Sequence, residues 1–134
     1  MKQLRDKSVL IVDDDTRMLR ALDKVLTGEG AVVSCAADTG NALEILTGRK
    51  KTIDLVITDL RMPFLTGMTV LYAIREIFPA LPVIVLTAFG SADVKAECLR
   101  QGAAAFLEKP LDTPQLLAAI AQVFASQQSL TAGT

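Results

Sequence analysis

Apolar residues along this chain follow two alternating spacings, one typical of β-strands and the other of α-helices. Residues 8–13, 53–58 and 82–87 are short apolar runs rich in Val and Ile, as expected of strands covered on both faces. Residues 31–35 and 103–107 form shorter runs of the same kind. Between these runs, apolar side chains recur at every third or fourth position, as on the buried face of a helix. The pattern predicts five strands, each followed by a helix.

Short polar side chains and glycines mark the ends of the predicted helices. The first helix is expected to begin at Thr16 and to end at Gly28, because glycine readily adopts the backbone conformation that terminates a helix. A third helix is expected over residues 68–78, before Pro79. The expected N-terminal caps are Asp38 for the second helix, Ser91 or Asp93 for the fourth and Asp112 for the fifth.

Strands that alternate with helices through short connections predict a doubly wound α/β fold with a parallel sheet. The length of 134 residues is that of one domain. In such a sheet, functional groups lie beyond the carboxyl ends of the strands. We therefore examined the residues that follow each predicted strand for candidate chemistry.

Composition excludes several classes of function. With 14 basic and 15 acidic residues, the chain lacks the basic excess that binds nucleic acid or anionic membranes. No apolar run exceeds six residues, too few for a membrane span or a secretory signal, so we expect a cytoplasmic protein. Histidine is absent, which excludes histidine catalysis, histidine-ligated metals and a phosphohistidine donor. Cys35 and Cys98 lack a CxxC spacing, and we expect both to be buried, reduced thiols.

Polar side chains stand where four of the predicted strands end. Carboxylates that converge on one crevice repel each other, and a divalent cation relieves that repulsion. Because the available ligands are oxygen atoms only, the sequence favours Mg²⁺. The residues concerned are Asp13, Asp14 and Asp15 after the first strand, Asp59 after the third, Thr87 at the end of the fourth and Lys109 after the fifth.

These side chains suit phosphoryl transfer to a carboxylate. One aspartate can act as the nucleophile and form an acyl phosphate. Lys109 can neutralise one phosphoryl oxygen, and Thr87 can donate a hydrogen bond to another. Asp15 is more readily explained as the N-terminal cap of the first helix than as a third metal ligand.

Four segments together resemble the receiver domain of two-component response regulators: VLIVDDDTRMLRAL, DLVITDLRMPFLTG, PVIVLTAFGSADV and GAAAFLEKPLD. The resemblance covers residues 7–125 and leaves residues 126–134 as a polar tail or the start of a linker. It implies a (βα)5 flavodoxin-like fold with strand order 2-1-3-4-5. No single motif is decisive, but four of them in this order are specific.

The resemblance implies a role for each residue at the strand ends. Asp59 matches the phospho-acceptor. Asp14 would bind Mg²⁺ directly, Asp13 mostly through water, and the backbone carbonyl of Arg61 would complete the protein ligands together with Asp59. Lys109 matches the conserved-type lysine of the site.

A second group of matching residues would transmit the modification. Thr87 matches the switch hydroxyl, and Phe106 stands at the switch-aromatic position, where the ring turns inward when the hydroxyl moves toward the phosphoryl group. Phenylalanine lacks the hydroxyl of the tyrosine found in many members, so any switching here depends on packing. The Lys109–Pro110 peptide bond is expected to be cis.

The resemblance also implies partners and an output. A histidine kinase or histidine phosphotransfer protein would donate the phosphoryl group, and the domain would modify and dephosphorylate itself without turning over an external substrate. A change in helices four and five would control an output, expected to be transcriptional, or a homodimer. The last helix has no charged residue after Asp112, which disfavours a salt-bridged dimer on that helix. We expect no direct binding of nucleic acid or membrane by this domain.

Two residues depart from the common pattern near the acceptor. Arg61 and Phe89 lie two positions beyond Asp59 and Thr87, where the family controls the access of water. Their bulk predicts a long-lived aspartyl phosphate.

Three alternatives remain open at this point. A haloacid-dehalogenase-like phosphatase also uses Asp, Thr, Lys and Mg²⁺, but it needs a further acidic motif after the lysine, and only Asp112 follows Lys109. A flavodoxin-like nucleotide-binding module would need a glycine-rich first loop in place of three aspartates. A receiver that only docks partners would not need the full set of site residues.

Overall fold

A computed structural model describes residues 3–48, 52–60, 67–88 and 90–132. Strands and helices alternate as the apolar pattern predicts, and the bounds of the strands differ from the predicted ones by at most two residues. The elements are β1 (Ser8–Val12), α1 (Thr16–Gly28), β2 (Val32–Ala36), α2 (Thr39–Gly48), β3 (Leu55–Thr58), α3 (Gly67–Ile77), β4 (Val83–Thr87), α4 (Ala92–Arg100), β5 (Ala105–Glu108) and α5 (Thr113–Ala132).

The five strands form one parallel sheet in the order β2-β1-β3-β4-β5, which confirms the expected topology. All residues of the three central strands, β1, β3 and β4, are buried. Helices cover both faces of these strands, which explains why their sequences are continuous apolar runs without polar alternation.

Alternate residues of each central strand enter two separate hydrophobic layers. Leu10 and Val12 of β1 pack with apolar residues of α2, α3 and α4 on one face of the sheet. Val9 and Ile11 pack with apolar residues of α1 and α5 on the other face. The sheet therefore forms the rigid middle layer from which the strand ends project.

Side-chain caps fix the N-termini of four helices, as the sequence predicts. Carboxylate oxygens of Asp15, Asp38 and Asp112 accept hydrogen bonds from backbone amides in the first turns of α1, α2 and α5. Ser91 rather than Asp93 caps α4, with its Oγ 3.1 Å from the backbone nitrogen of Val94. The capping role expected for Asp15 is thus confirmed.

The structure departs from two expectations. Cys98 is buried as predicted, but Cys35 is exposed, because it lies on β2, an edge strand paired only with β1. Helix α5 continues to Ala132, beyond residue 125, where the resemblance ends. The boundary of the domain at residue 125 stays a prediction.

Candidate functional site

The carboxyl ends of β1 and β3 place two aspartates side by side. The backbone amide of Asp13 donates to the carbonyl oxygen of Ala36 at 3.0 Å, and that of Asp59 donates to Val12 at 3.0 Å. These bonds continue the pairing of the sheet by one residue, so both aspartates are held by rigid backbone. Asp13 is 3% exposed and Asp59 is 6% exposed. Two carboxylates are therefore nearly withdrawn from water at one edge of the sheet.

Asp14 completes an acidic cluster with these two residues. One carboxylate oxygen from each of Asp13, Asp14 and Asp59 lies within 4.8 Å of the others. Asp14 is exposed, so the cluster opens to solvent on its side. Asp15, the third aspartate of the run, points its carboxylate at the first turn of α1 instead.

Lys109 brings a positive charge to the cluster from the end of β5. Its backbone amide donates to the carbonyl oxygen of Thr87 at 2.8 Å. Its Nζ lies 2.9 Å from Oδ2 of Asp13 and 3.3 Å from Oδ2 of Asp59. The following peptide bond, Lys109–Pro110, is cis, as the resemblance implies.

Burial and charge act in opposite directions on the ionisation of this site. Burial is the main reason why the pKa of Asp13 lies above its ordinary value of 3.8, and repulsion by Asp59 adds to it. Hydrogen bonds from the amide of Asp15 and from Lys109 oppose this increase. For Lys109, burial is the largest influence and lowers the pKa, but Asp13 and Asp59 together raise it above 10.5.

Backbone amides hold the second oxygen of each buried carboxylate. Oδ1 of Asp13 accepts from the amide of Asp15 at 2.9 Å, and Oδ1 of Asp59 accepts from the amide of Leu60 at 2.7 Å. Sequence reasoning missed both amides. Aspartate side chains commonly accept a hydrogen bond from the backbone amide two residues ahead and so form a turn. This tendency could have suggested the bond between Asp13 and Asp15.

Thr87 and Phe106 lie on the α4 side of the sheet. Thr87 is fully buried at the end of β4. Phe106 is in register with Val85, and its ring is buried in the same apolar layer as Val85 and Cys98. The ring therefore occupies an inward position in the structure described.

Two residues expected to affect the site lie outside the described ranges. These are Arg61, whose carbonyl is the expected metal ligand, and Phe89, expected to limit the access of water. Asp112, the acidic residue that a phosphatase would need near the lysine, caps α5 through a 3.1 Å bond from the amide of Gln115.

The donor set of the cluster fits a hard divalent cation. Three carboxylates face a single ammonium group, so the described residues leave an excess of negative charge. All candidate ligand atoms are oxygens, and one carboxylate is exposed, which would let an ion enter and keep water ligands.

Comparison with protein families gives one match over most of the chain. A family model described as the response regulator receiver domain matches residues 9–121. Transcriptional regulatory protein ZraR of Escherichia coli K12 is 36% identical over 126 residues, which are 94% of this chain and 28% of ZraR. GlrR of the same strain is 41% identical over 112 residues, which are 84% of this chain and 25% of GlrR. The chain thus spans about a quarter of these curated relatives.

Solved structures show the same similarity. A response regulator receiver domain protein from Clostridium thermocellum matches with a TM-score of 0.85 and 33% identity, covering 92% of this chain and 98% of the other. A chain in the CheX-CheY-BeF3-Mg+2 complex from Borrelia burgdorferi matches with a TM-score of 0.85 and 34% identity, covering 90% of both.

Within the part of the chain that the structure describes, no helix is both long enough and apolar enough to cross a bilayer.

Proposed function

Because the chain belongs to the response regulator receiver domain family, we propose that Asp59 is the residue that accepts the phosphoryl group in this protein. The observation that carries the proposal is the convergence of Asp13, Asp14 and Asp59 with Lys109 at one edge of the sheet. The proposed donor is a phosphohistidine of a histidine kinase or of a histidine phosphotransfer protein.

The transfer step requires one bond to form and one to break. A carboxylate oxygen of Asp59 attacks phosphorus, the bond from phosphorus to the donor's imidazole nitrogen breaks, and that nitrogen leaves with its electron pair. The product is an acyl phosphate on Asp59. Hydrolysis by water returns the carboxylate and inorganic phosphate, and we propose that these two reactions are the only chemistry of the domain.

Lys109 is positioned to stabilise the charge that arrives with the phosphoryl group. Its Nζ already lies 3.3 Å from Oδ2 of Asp59 and carries its proton at neutral pH, because Asp13 and Asp59 raise its pKa. A phosphoryl oxygen on Asp59 would therefore find an ammonium donor close by. Such a preorganised donor lowers the barrier without the cost of reorienting solvent.

We propose that the acidic cluster holds Mg²⁺, with Asp14 as a direct ligand and Asp13 mostly through water. Asp59 and the carbonyl of Arg61 are the remaining proposed protein ligands. When bound, the ion would offset the repulsion among the carboxylates and between them and a phosphoryl group.

Thr87 and Phe106 are the proposed switch. Thr87 is the last residue of β4, so a hydrogen bond from its hydroxyl to the phosphoryl group would pull on the loop that leads to α4. Phe106 lies on the same face of the sheet and packs in the layer that includes Cys98 of α4. Phosphorylation would thereby shift an equilibrium that α4, β5 and α5 report.

A transcriptional output is proposed from the relatives. ZraR and GlrR are transcriptional regulatory proteins of which this chain matches 28% and 25%. An output domain or a second copy would contact helices α4 and α5. The exposed side of α5 contains Ala118, Ala121 and Ala125 together with Gln122 and Ser126 and has no charged residue, so such a contact would not involve ion pairs from this helix.

The proposed acceptor is tested by mass spectrometry after incubation with acetyl phosphate and Mg²⁺. We expect the wild type to gain the mass of one phosphoryl group and Asp59→Asn to gain none, because an amide is not a nucleophile for phosphorus. Asp54→Asn is the matched control, since Asp54 stands just before β3, at the opposite end from Asp59, and its carboxylate accepts from the amide of Ser8 at 2.8 Å. Equal phosphorylation of wild type and Asp59→Asn would disprove the assignment.

A further inference from the structure

The side chain of Glu108 lies directly over Gly90. A Cβ atom added to Gly90 would lie 2.7 Å from Oε1 of Glu108 and 2.9 Å from its Cδ and Cγ. The φ angle of Gly90 is outside the left-handed region, so the backbone does not require glycine at this position. The space that Glu108 occupies disfavours a larger residue there as long as that side chain keeps its position.

This contact joins the end of β5 to the loop that follows the proposed switch hydroxyl. Glu108 is in register with Thr87 across the pair of strands β4 and β5. Gly90 lies between Thr87 and Ser91, which caps α4. The segment that joins Thr87 to α4 therefore meets Glu108 at Gly90.

The contact is one of packing rather than of charge. Glu108 is exposed, and its carboxylate makes no hydrogen bond or ion pair with the residues that the structure describes. The aliphatic part of the Glu108 side chain packs against Gly90. Phe106, two residues earlier on the same face of β5, is buried below it.

We propose that Glu108 is a positioning residue for the phosphoryl site, because its contact with Gly90 holds the loop after Thr87 against β5. The inference rests on the proposed function. With the loop held, Thr87 stays where its hydroxyl can meet a phosphoryl oxygen. Without the contact, the loop samples more positions. Binding of the phosphoryl group then has to order the loop as well, which lowers the affinity.

The proposal is tested by a double-mutant cycle on affinity for beryllofluoride in the presence of Mg²⁺. We expect Glu108→Ala and Gly90→Ala each to weaken binding about fivefold, the lower end of usual coupling between sites. We expect the double variant to bind no more weakly than either single one, because both changes break the same contact. Glu108→Gln is the matched control, since it keeps the shape of the side chain, and it should bind like the wild type.

Amide hydrogen exchange of the metal-free protein provides a second measurement. The alanine variants should speed exchange at Ser91, whereas Glu108→Gln should not. Gly90→Ala should still fold, because the three atoms nearest to the methyl group, Oε1, Cδ and Cγ, all belong to the exposed side chain of Glu108, which can rotate away. Urea unfolding checks this directly.

Several outcomes would overturn the inference. The inference would be wrong if the losses of beryllofluoride affinity in the two alanine variants were additive, or if Glu108→Gln lost as much affinity as Glu108→Ala. It would also be wrong if the alanine variants bound beryllofluoride as tightly as the wild type or more tightly. Failure of the wild type to bind beryllofluoride would instead count against the proposed function itself.

Discussion

The two ends of the sheet both contain charged groups that are at least partly buried, but they balance those charges differently. At the amino end, the guanidinium of Arg75 donates to four backbone carbonyl oxygens of the connections before β4 and β5. At the carboxyl end, the ammonium group of Lys109 faces three carboxylates among the residues that the structure describes. The carbonyl oxygens belong to Phe78, Pro79, Leu81 and Gly102.

Arg75 and its partners form a structural arrangement. Gly102 has a φ of +100°, and a Cβ there would lie 2.7 Å from Cδ of Arg75, so glycine serves both the backbone and the close approach of the arginine. Within the guanidinium, Nη1 and Nη2 supply the bonds to the carbonyl oxygens, whereas Nε is buried without a hydrogen-bond partner among the described residues. The guanidinium joins two connections of the fold, and its hydrogen bonds call for no external ligand.

A structural charge in this protein is satisfied within the chain, whereas the charge of the proposed functional site is not fully balanced within the described ranges. The carbonyl dipoles at the amino end satisfy one cation within the chain. Among the described residues, the carboxyl end keeps an excess of negative charge over the single ammonium of Lys109, and burial raises the pKa of Asp13 above its ordinary value. That excess of negative charge is suited to binding an external cation, which in turn can accommodate an incoming phosphoryl group.

The largest expected effect concerns the cation of the carboxyl end. Lys109→Met should slow phosphorylation by acetyl phosphate about hundredfold, the usual loss when one preorganised donor is removed. Lys24→Met, an exposed lysine on α1, is the control and should react like the wild type. The rate is measured by phosphoprotein mass at timed intervals. Retention of the wild-type rate in Lys109→Met would remove the distinction between the two ends.

The cation of the amino end should affect stability instead. Arg75→Met should lower the free energy of unfolding by about 2 kcal/mol, because carbonyl oxygens lose a charged hydrogen-bond donor. The measurement is urea unfolding with chelator present. Under conditions in which Arg75→Met is fully folded, the variant should be phosphorylated at the same rate as the wild type. A slower rate in the folded variant would show that the two ends are coupled.

Binding of Mg²⁺ at the carboxyl end of the sheet should stabilise the folded protein. At ten times its dissociation constant, the ion should raise the free energy of unfolding of the wild type by about 1.4 kcal/mol. Asp14→Ala should lose this gain, whereas Asp93→Ala, an exposed carboxylate on α4, should keep it. Equal gains in wild type and Asp14→Ala would place the ion elsewhere.

The smallest expected effect is on alkaline pH dependence. Because the folded protein raises the pKa of Lys109 above 10.5, the ammonium contributes stability that is fully present below that pH. The contribution is lost as pH rises through the raised pKa. The difference in unfolding free energy between wild type and Lys109→Met, measured with chelator, should therefore shrink as pH increases from about 9 to about 12. A constant difference would show that the lysine acts through packing.

Most of the architecture was predictable because its signals are local. The spacing of apolar residues identified five strands and five helices, and the caps Asp15, Asp38 and Asp112 act on amides only a few residues away. The ends of the strands identified Asp13, Asp59, Thr87 and Lys109 as candidates. The choice between Ser91 and Asp93 as the cap of α4 was not decided, since both suit the position.

The sequence by itself determined which residue types end each strand, because periodicity and turn chemistry depend on near neighbours. Only the tertiary structure decided which atoms meet. Lys109 pairs with Asp13 across 96 positions and with Asp59 across 50, and both pairings depend on the register of neighbouring strands. The exposure of Cys35 on an edge strand and the packing of Glu108 over Gly90 have the same origin. Each results from contacts between segments that are far apart in the chain, and the sequence near either segment does not indicate its partner.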